Sequence, residues 1–248
     1  LGQGPCENQQ IHLCDQENIS AAPYFPGATM AIHSEVFIDQ NTTLNSSDIK
    51  FDEGAKFTIR SGVNLSLVNC TLSACSLTWH GIVLQDGSSS IYTNSNTIIK
   101  DAEIAITAIN GAELNITESQ FLNDNKGIFL SNGDFSTSVF KGNIFDFGNT
   151  DPKATTAFAH IILENLSAIT IGDNTSVANA NIFTHSYYGI KSYNSNCVVQ
   201  NSEFSNIGTL IQDDAHNWVT YGYGFYSEGS TAQTEIKGTG VLGDQNNF

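Results

Sequence analysis

Three stretches of the chain repeat one spacing: two apolar residues two apart, then a third five residues further on. They are Leu65, Leu67 and Leu72, then Leu114, Ile116 and Phe121, then Cys197, Val199 and Phe204. A second kind of apolar pair recurs between turns, at Ile82 and Leu84, Ile104 and Ile106, Ile128 and Leu130, and Ile161 and Leu163, with Ile190 and Phe225 opening two later copies. A period of two sends successive side chains to opposite faces, so each piece is a short strand with one face inward. The copies begin about 22 to 35 residues apart, which suits solenoid coils with loop insertions. No stretch holds helical periodicity for ten residues, and glycine, asparagine and aspartate punctuate the chain every few positions. The pattern predicts an all-β, single-stranded parallel β-helix of roughly seven to nine coils, a rod on the order of 35 to 45 Å long.

Residues 1 to 35 hold three of the four prolines and no repeat. A solenoid needs its open end covered, so this segment is expected to be an N-terminal cap on a β-helix spanning 36 to 248, the two forming one domain. Gly81, Gly127, Gly189 and Gly224 each precede the first apolar residue of a strand, where a bend with unusual dihedrals would favour glycine. Glu103 and His160 stand in the equivalent places of two other copies. Turn asparagines such as Asn69, Asn96, Asn143, Asn181 and Asn201 are expected to bond neighbouring backbone.

The formal charge is −16, from 25 acidic and nine basic side chains. Nucleic acids and polyanionic sugars need an excess of Lys and Arg, so they are disfavoured as partners; neutral glycans, cations and other proteins remain. No apolar run is long enough to span a bilayer as a helix. The chain starts at Leu1 and its only methionine is Met30, which suggests a processed precursor or a fragment. Of five cysteines, Cys6 with Cys14 and Cys70 with Cys75 are candidate local disulfides of an oxidising compartment. The plainer reading makes Cys70 and Cys197 small apolar fillers of inward rungs.

The segment Thr71-Leu72-Ser73-Ala74-Cys75 through Trp79-His80-Gly81-Ile82-Val83-Leu84 resembles a recurring element of secreted Bacteroidetes proteins. In them a tryptophan-x-glycine-isoleucine motif follows a threonine-leucine strand and opens a right-handed parallel β-helix. Asn125-Lys126-Gly127-Ile128, Tyr188-Gly189-Ile190 and Gly222-Tyr223-Gly224-Phe225 continue the pattern, and the match runs from about Thr43 to Phe225. The resemblance implies a right-handed coil, a secreted or cell-surface location, flanking domains in a larger polypeptide, and often type IX secretion. It implies no activity.

Insertions are where a solenoid gathers function, because its rungs are committed to the core. Residues 146 to 159, 184 to 188 and 207 to 223 each lie between a phenylalanine strand and the next glycine-led strand, so they are expected to adjoin at one corner. They supply His185, Tyr187, Tyr188, Asp213, Asp214, His216, Trp218, Tyr221 and Tyr223. Tyr187, Tyr188, Trp218 and Tyr221 suit stacking on sugar faces, with His185, Asp213 and Asp214 setting polarity. As an alternative, Asp213 and Asp214, assisted by His216, would be the acid and base of a polysaccharide-active enzyme, a glycoside hydrolase rather than a lyase. The glycine-histidine-glycine and arginine-x-lysine elements of β-helical polygalacturonases are absent, so the expectation is a non-catalytic, adhesin-like extracellular module. No cofactor is expected. Calcium is the ion an acidic rod would take through oxygen ligands, with Asp213 and Asp214, or Asp173 with Asn174, as candidates. Trp79, as part of the recurrent motif, is read as packing a corner.

Overall fold

The computed structural model describes residues 6–14, 17–19, 26–148, 158–212, 218–229 and 233–237. They wind into a parallel β-helix whose coils each lay strands on three faces. The first sheet has nine strands, running from Ile11–Leu13 and Thr29–Ile32 through Gln120–Leu122, Ile144–Asp146 and Asn181–Thr184 to Ser202–Ser205. The second runs from Glu35–Ile38 through Ile104–Ile109, Lys126–Phe135, Ala159–Ile171 and Tyr188–Tyr193 to Tyr223–Glu228. The third holds five strands, from Thr42–Asn45 to Val139–Lys141. The long strand Ala159–Ile171 then turns a corner and pairs at its end with Cys197–Gln200, which pairs with Thr234–Lys237. Nine rungs about 4.8 Å apart span roughly 38 Å.

In-register pairing stacks like on like. Phe121, Phe145, Phe183 and Phe204 occupy one inward column, with successive ring centroids 4.7, 4.9 and 4.9 Å apart and the planes nearly parallel. The earlier members of that column are Ile11, partly buried, and then Met30, Ile49, Leu72 and Ile99, all fully buried. Two positions earlier runs a polar column at the corner, through Ser47, Thr97, Ser119, Asn143 and Asn181. Asn143 Nδ2 donates to the Ile116 carbonyl (2.8 Å) and to Asn181 Oδ1 (3.1 Å), and Asn181 Nδ2 donates to the Phe140 carbonyl (3.0 Å). Both amides are fully buried, so these bonds are required: an orphaned buried amide would cost about 1 to 3 kcal/mol.

Four details depart from the sequence reading. Two rungs, Ile11–Leu13 and Thr29–Ile32, lie within the first 35 residues, where strands this short leave no readable alternation. In the coil of residues 104 to 109 the inward pair is Ile106 and Ala108, with Ile104 facing outward, so Ala105 and not Glu103 stands in the glycine column. The column glycines answer to space more than to dihedral: only Gly81 has a positive φ, 92°. A Cβ on Gly127 would meet the Phe145 ring at 3.1 Å, and one on Gly189 would meet the Phe204 ring at 2.6 Å.

The disulfide joins Cys6 to Cys75, with Cα atoms 5.7 Å apart, and Cys14 and Cys70 are free. Cys70 and Cys75 flank the extended strand Thr71–Ala74, which holds their Cα atoms roughly 16 Å apart, far beyond disulfide reach. Cys70 and Cys197 are buried fillers, as the plainer reading had it. Burial pushes the Cys197 thiol up to about 12 and raises that of Cys70, which leaves both inert. Trp79 packs the corner too, fully buried, stacked on Phe51 at 3.9 Å and donating Nε1–H to the Lys100 carbonyl (2.9 Å).

Phe183→Ala removes a ring that is stacked on both sides and is expected to destabilise the chain by about 3 to 5 kcal/mol in denaturant unfolding. Non-reducing peptide mapping is expected to recover one cross-linked pair, Cys6 with Cys75, and alkylatable Cys14, Cys70 and Cys197 after unfolding.

Candidate functional site

The three insertions do share a corner. Each leaves a first-sheet strand, at Asp146, Thr184 or Ser205, and re-enters the second sheet at Ala159, Tyr188 or Tyr223. Those exits and entries are in register, Ile144 with Ile182, Phe183 with Phe204, Ala159 with Tyr188, and Tyr188 with Tyr223. Within the last insertion Thr209–Gln212 and Trp218–Tyr221 pair as an antiparallel hairpin. Asp213, Asp214 and His216 lie outside the described residues, and of Trp218 and Tyr221 only the backbone is described. Tyr187, Tyr188 and Tyr223 are brought together. His185 is not part of that group: its Nδ1 meets Asp146 Oδ1 at 2.8 Å and the Thr184 hydroxyl at 3.1 Å.

Tyr188 is the centre of an aromatic surface. Its ring stacks on Tyr223 in the next rung (5.7 Å, 12° between planes) and meets Tyr187 and Phe158 edge-on at 4.6 and 5.5 Å. Tyr226 tilts against both Tyr188 and Tyr223, at 5.5 and 5.1 Å. Lys191 Nζ sits 5.2 Å above the Tyr188 ring and 5.3 Å above Phe158, within cation–π range. Burial, followed by Tyr187 and Tyr223, raises the Tyr188 hydroxyl above its usual value, and a 2.8 Å bond to Glu228 does the same for Tyr226. Tyr188 and Tyr226 are therefore neutral donors at physiological pH.

This cluster continues onto the outer face of the second sheet, which sequence reasoning did not single out. Phe129, Ile162, Lys191 and Tyr226 form one outward column, and Ser131, Glu164, Tyr193 and Glu228 form the next. Phe129, Ile162, Lys191, Glu164, Tyr193 and Glu228, with Phe158 and Lys126, line a groove of about 310 Å³. Phe158 and Tyr193 remain 38% and 44% exposed, a large apolar area for a solvated face. The signal was present in Ile128-Phe129-Leu130 and Ile161-Ile162-Leu163: apolar runs of three break strict alternation, and the middle residue of each must face out.

Beneath the corner, His160 stands in the glycine column, where Gly127 and Gly189 flank it. Its ring is buried against Phe145 and Phe183, and Nε2–H donates to the Thr184 carbonyl at 2.8 Å. Burial lowers its pKa to about 4, so the ring is neutral in the folded chain. The calcium candidate Asp173 already accepts from the Thr175 backbone (3.0 Å) and hydroxyl (2.7 Å) and faces Lys141 at 3.9 Å.

Residues 29–165, more than half of the chain, match the family described as right handed beta helix region, and the protein belongs to that family. No curated protein and no solved structure matches it. The family and the geometry define a right-handed parallel β-helix that presents an aromatic surface beside one corner.

His160 makes a test by pH. An unfolded chain binds a proton on this histidine near pH 6.5, whereas the folded one waits until about pH 4. The stabilisation is complete above the unfolded value and is lost as pH falls through that window, a loss of about 3 kcal/mol. Urea unfolding at stepped pH is expected to show this decline, and His160→Gln, which keeps a donor for Thr184, to flatten it.

Proposed function

We propose that this chain is a non-catalytic module of a secreted or cell-surface protein and that it contacts neutral glycans through the Tyr188 surface. The observation that carries this reading is a run of mutually braced rings, Phe158 and Tyr223 exposed and Tyr187, Tyr188 and Tyr226 half-buried between them. Rings held by their neighbours give up little entropy on stacking against a sugar face, and the hydroxyls and carboxylates at the rim accept and donate to hydroxyl groups. Lys126 and Lys191 are matched in the groove by Glu164 and Glu228, so its local charge is balanced. A polymer of uronic acids would find no excess of positive charge there, and a neutral one pays no penalty. The disulfide between Cys6 and Cys75 supports an oxidising, extracellular setting. The tryptophan-x-glycine-isoleucine element supports a relation to Bacteroidetes surface proteins and their type IX route.

A hydrolytic reading has one observation of its own. Glu164 and Glu228 flank Tyr193 in a single outward column, two rungs apart, which sets their Cα atoms about 9.6 Å from each other and lets their carboxyl groups reach the separation used by inverting hydrolases.

Screening the purified chain on a glycan array, followed by calorimetry on the best neutral oligosaccharide, tests both. Tyr188→Ala is expected to weaken binding by about 1 to 3 kcal/mol without changing the unfolding midpoint by more than a few degrees. Equal binding by wild type and Tyr188→Ala rejects the surface as the site. Steady turnover of any polysaccharide that Glu164→Gln or Glu228→Gln abolishes replaces the binding module with an enzyme.

A further inference from the structure

Far from the Tyr188 surface, the outer face at the start of the first sheet brings two histidines together across successive rungs. His12 lies on the strand Ile11–Leu13, in register with Ala31, and His33 directly follows the paired strand Thr29–Ile32. His12 Nδ1 and His33 Nε2 face each other at 3.0 Å, with 4° between the ring planes. The other nitrogen of each ring is held by an acceptor: His33 Nδ1 meets Asp52 Oδ2 at 2.7 Å, and His12 Nε2 meets the Gln9 carbonyl at 3.1 Å. Asp52 follows the third strand of the sheet, Asp48–Phe51, so the contacts run over three rungs. Among the described residues Asp52 forms no ion pair besides the one with His33.

A neutral imidazole carries one N–H. With His33 donating to the Asp52 carboxylate and His12 to the Gln9 carbonyl, both N–H groups are spent on the outer contacts. The two nitrogens that face each other then both present lone pairs, and an electron-poor atom has to lie between them. A shared proton fills that place by leaving the pair charged. A metal ion fills it with both rings neutral, the form in which histidine ligates. The outer contacts are those that ligating histidines make, one ring N–H on a carboxylate and the other on a backbone carbonyl, which fix tautomer and orientation. Imidazole nitrogens select borderline ions such as zinc or nickel over calcium. Zinc–nitrogen bonds of about 2.0 to 2.1 Å in a tetrahedral site separate the nitrogens by roughly 3.3 to 3.4 Å, so the exposed His12 ring has a few tenths of an ångström to move.

We propose that His12 and His33, with Asp52 positioning the His33 ring, form a surface site for a divalent transition ion of the zinc class, which fastens the first rung to the second while water completes its coordination. The site stands at the same end of the rod as the disulfide. The Cys6 and Cys75 sulfurs lie within 4.8 Å of an Asp52 oxygen, but they are bonded to each other, so that carboxylate is left to His33. The other exposed histidine–carboxylate pairs, His80 with Glu103 (3.3 Å) and His185 with Asp146 (2.8 Å), hold one imidazole each and lack the facing nitrogens.

The test uses the full chain, stripped with a chelator and titrated with zinc chloride or nickel chloride in a calorimeter at about pH 7.5, where imidazole is mostly neutral. One equivalent is expected to bind and to raise the unfolding midpoint. His12→Gln and His33→Gln are expected to lose both responses, and His80→Gln and His185→Gln to keep them. Asp52→Asn, which leaves both rings in place, is expected to weaken binding about 10- to 100-fold, an effect that a carboxylate with a merely structural role would not produce. Cys14→Ser is expected to bind as the native chain does, since the exposed Cys14 thiol is no part of the pair. No heat and no change of midpoint with either ion means that the rings share a proton, and it overturns the site. Binding that survives His12→Gln, or that is lost in Cys14→Ser, overturns it equally. If His33→Gln does not fold, the exposed His12 ring decides alone.

Discussion

Hydrogen bonds between parallel strands hold each coil about 4.8 Å from the next, and that distance leaves every side chain facing its own counterpart. Inside, only groups that pack well on copies of themselves can occupy a column. Phenylalanine rings do so face to face in the later coils, and aliphatic chains do so in the earlier ones. Asparagine does so by donating its amide to the carbonyls of the neighbouring coil while accepting with its own oxygen. At Gly127 and Gly189 glycine is required because the rings of Phe145 and Phe204 and the next backbone fill the space a Cβ would take.

The same spacing acts on the outside, where solvent relaxes the demand for likeness. Tyr188 and Tyr223 stack because they are register partners, and Lys191 lies over the rings of Tyr188 and Phe158. The aromatic surface is thus a product of the ladder and needs no loop conformation of its own to align its rings. Asn123 and Asp124 show the opposite consequence: both are buried where the corner turns inward, and Asn123 Oδ1 and Asp124 Oδ2 are left without donors.

The parallel β-helix was legible because inward columns repeat with period two, and Leu65, Leu114 and Ile128 announce themselves at fixed distances. The shared corner was legible for the same reason. Register within a coil was harder: Ile104-Ala105-Ile106 offers two alternating frames, and only pairing with Gly81–Leu84 and Lys126–Phe135 chooses between them. Cys6 with Cys75 was hidden because the partners are 69 residues apart in the chain, a relation that depends on how many coils intervene. The outer groove was hidden because outward residues carry no periodic constraint, so Phe129 and Ile162 read as surplus core. Buried Asp124 looked like any turn aspartate, since nothing in the residue type says which way the corner folds.

Asn143 and Asn181 are 38 residues apart in the chain yet meet directly, and Phe145 and Phe183 stack at the same distance as rings from coils with no insertion between them. Chain length between rungs is therefore decoupled from rung geometry. A corner of this kind works as a port: sequence of any length can be looped out there while the coils on either side continue to read each other. Variation in what the rod contacts can accumulate at that port, and the architecture that presents it stays unchanged.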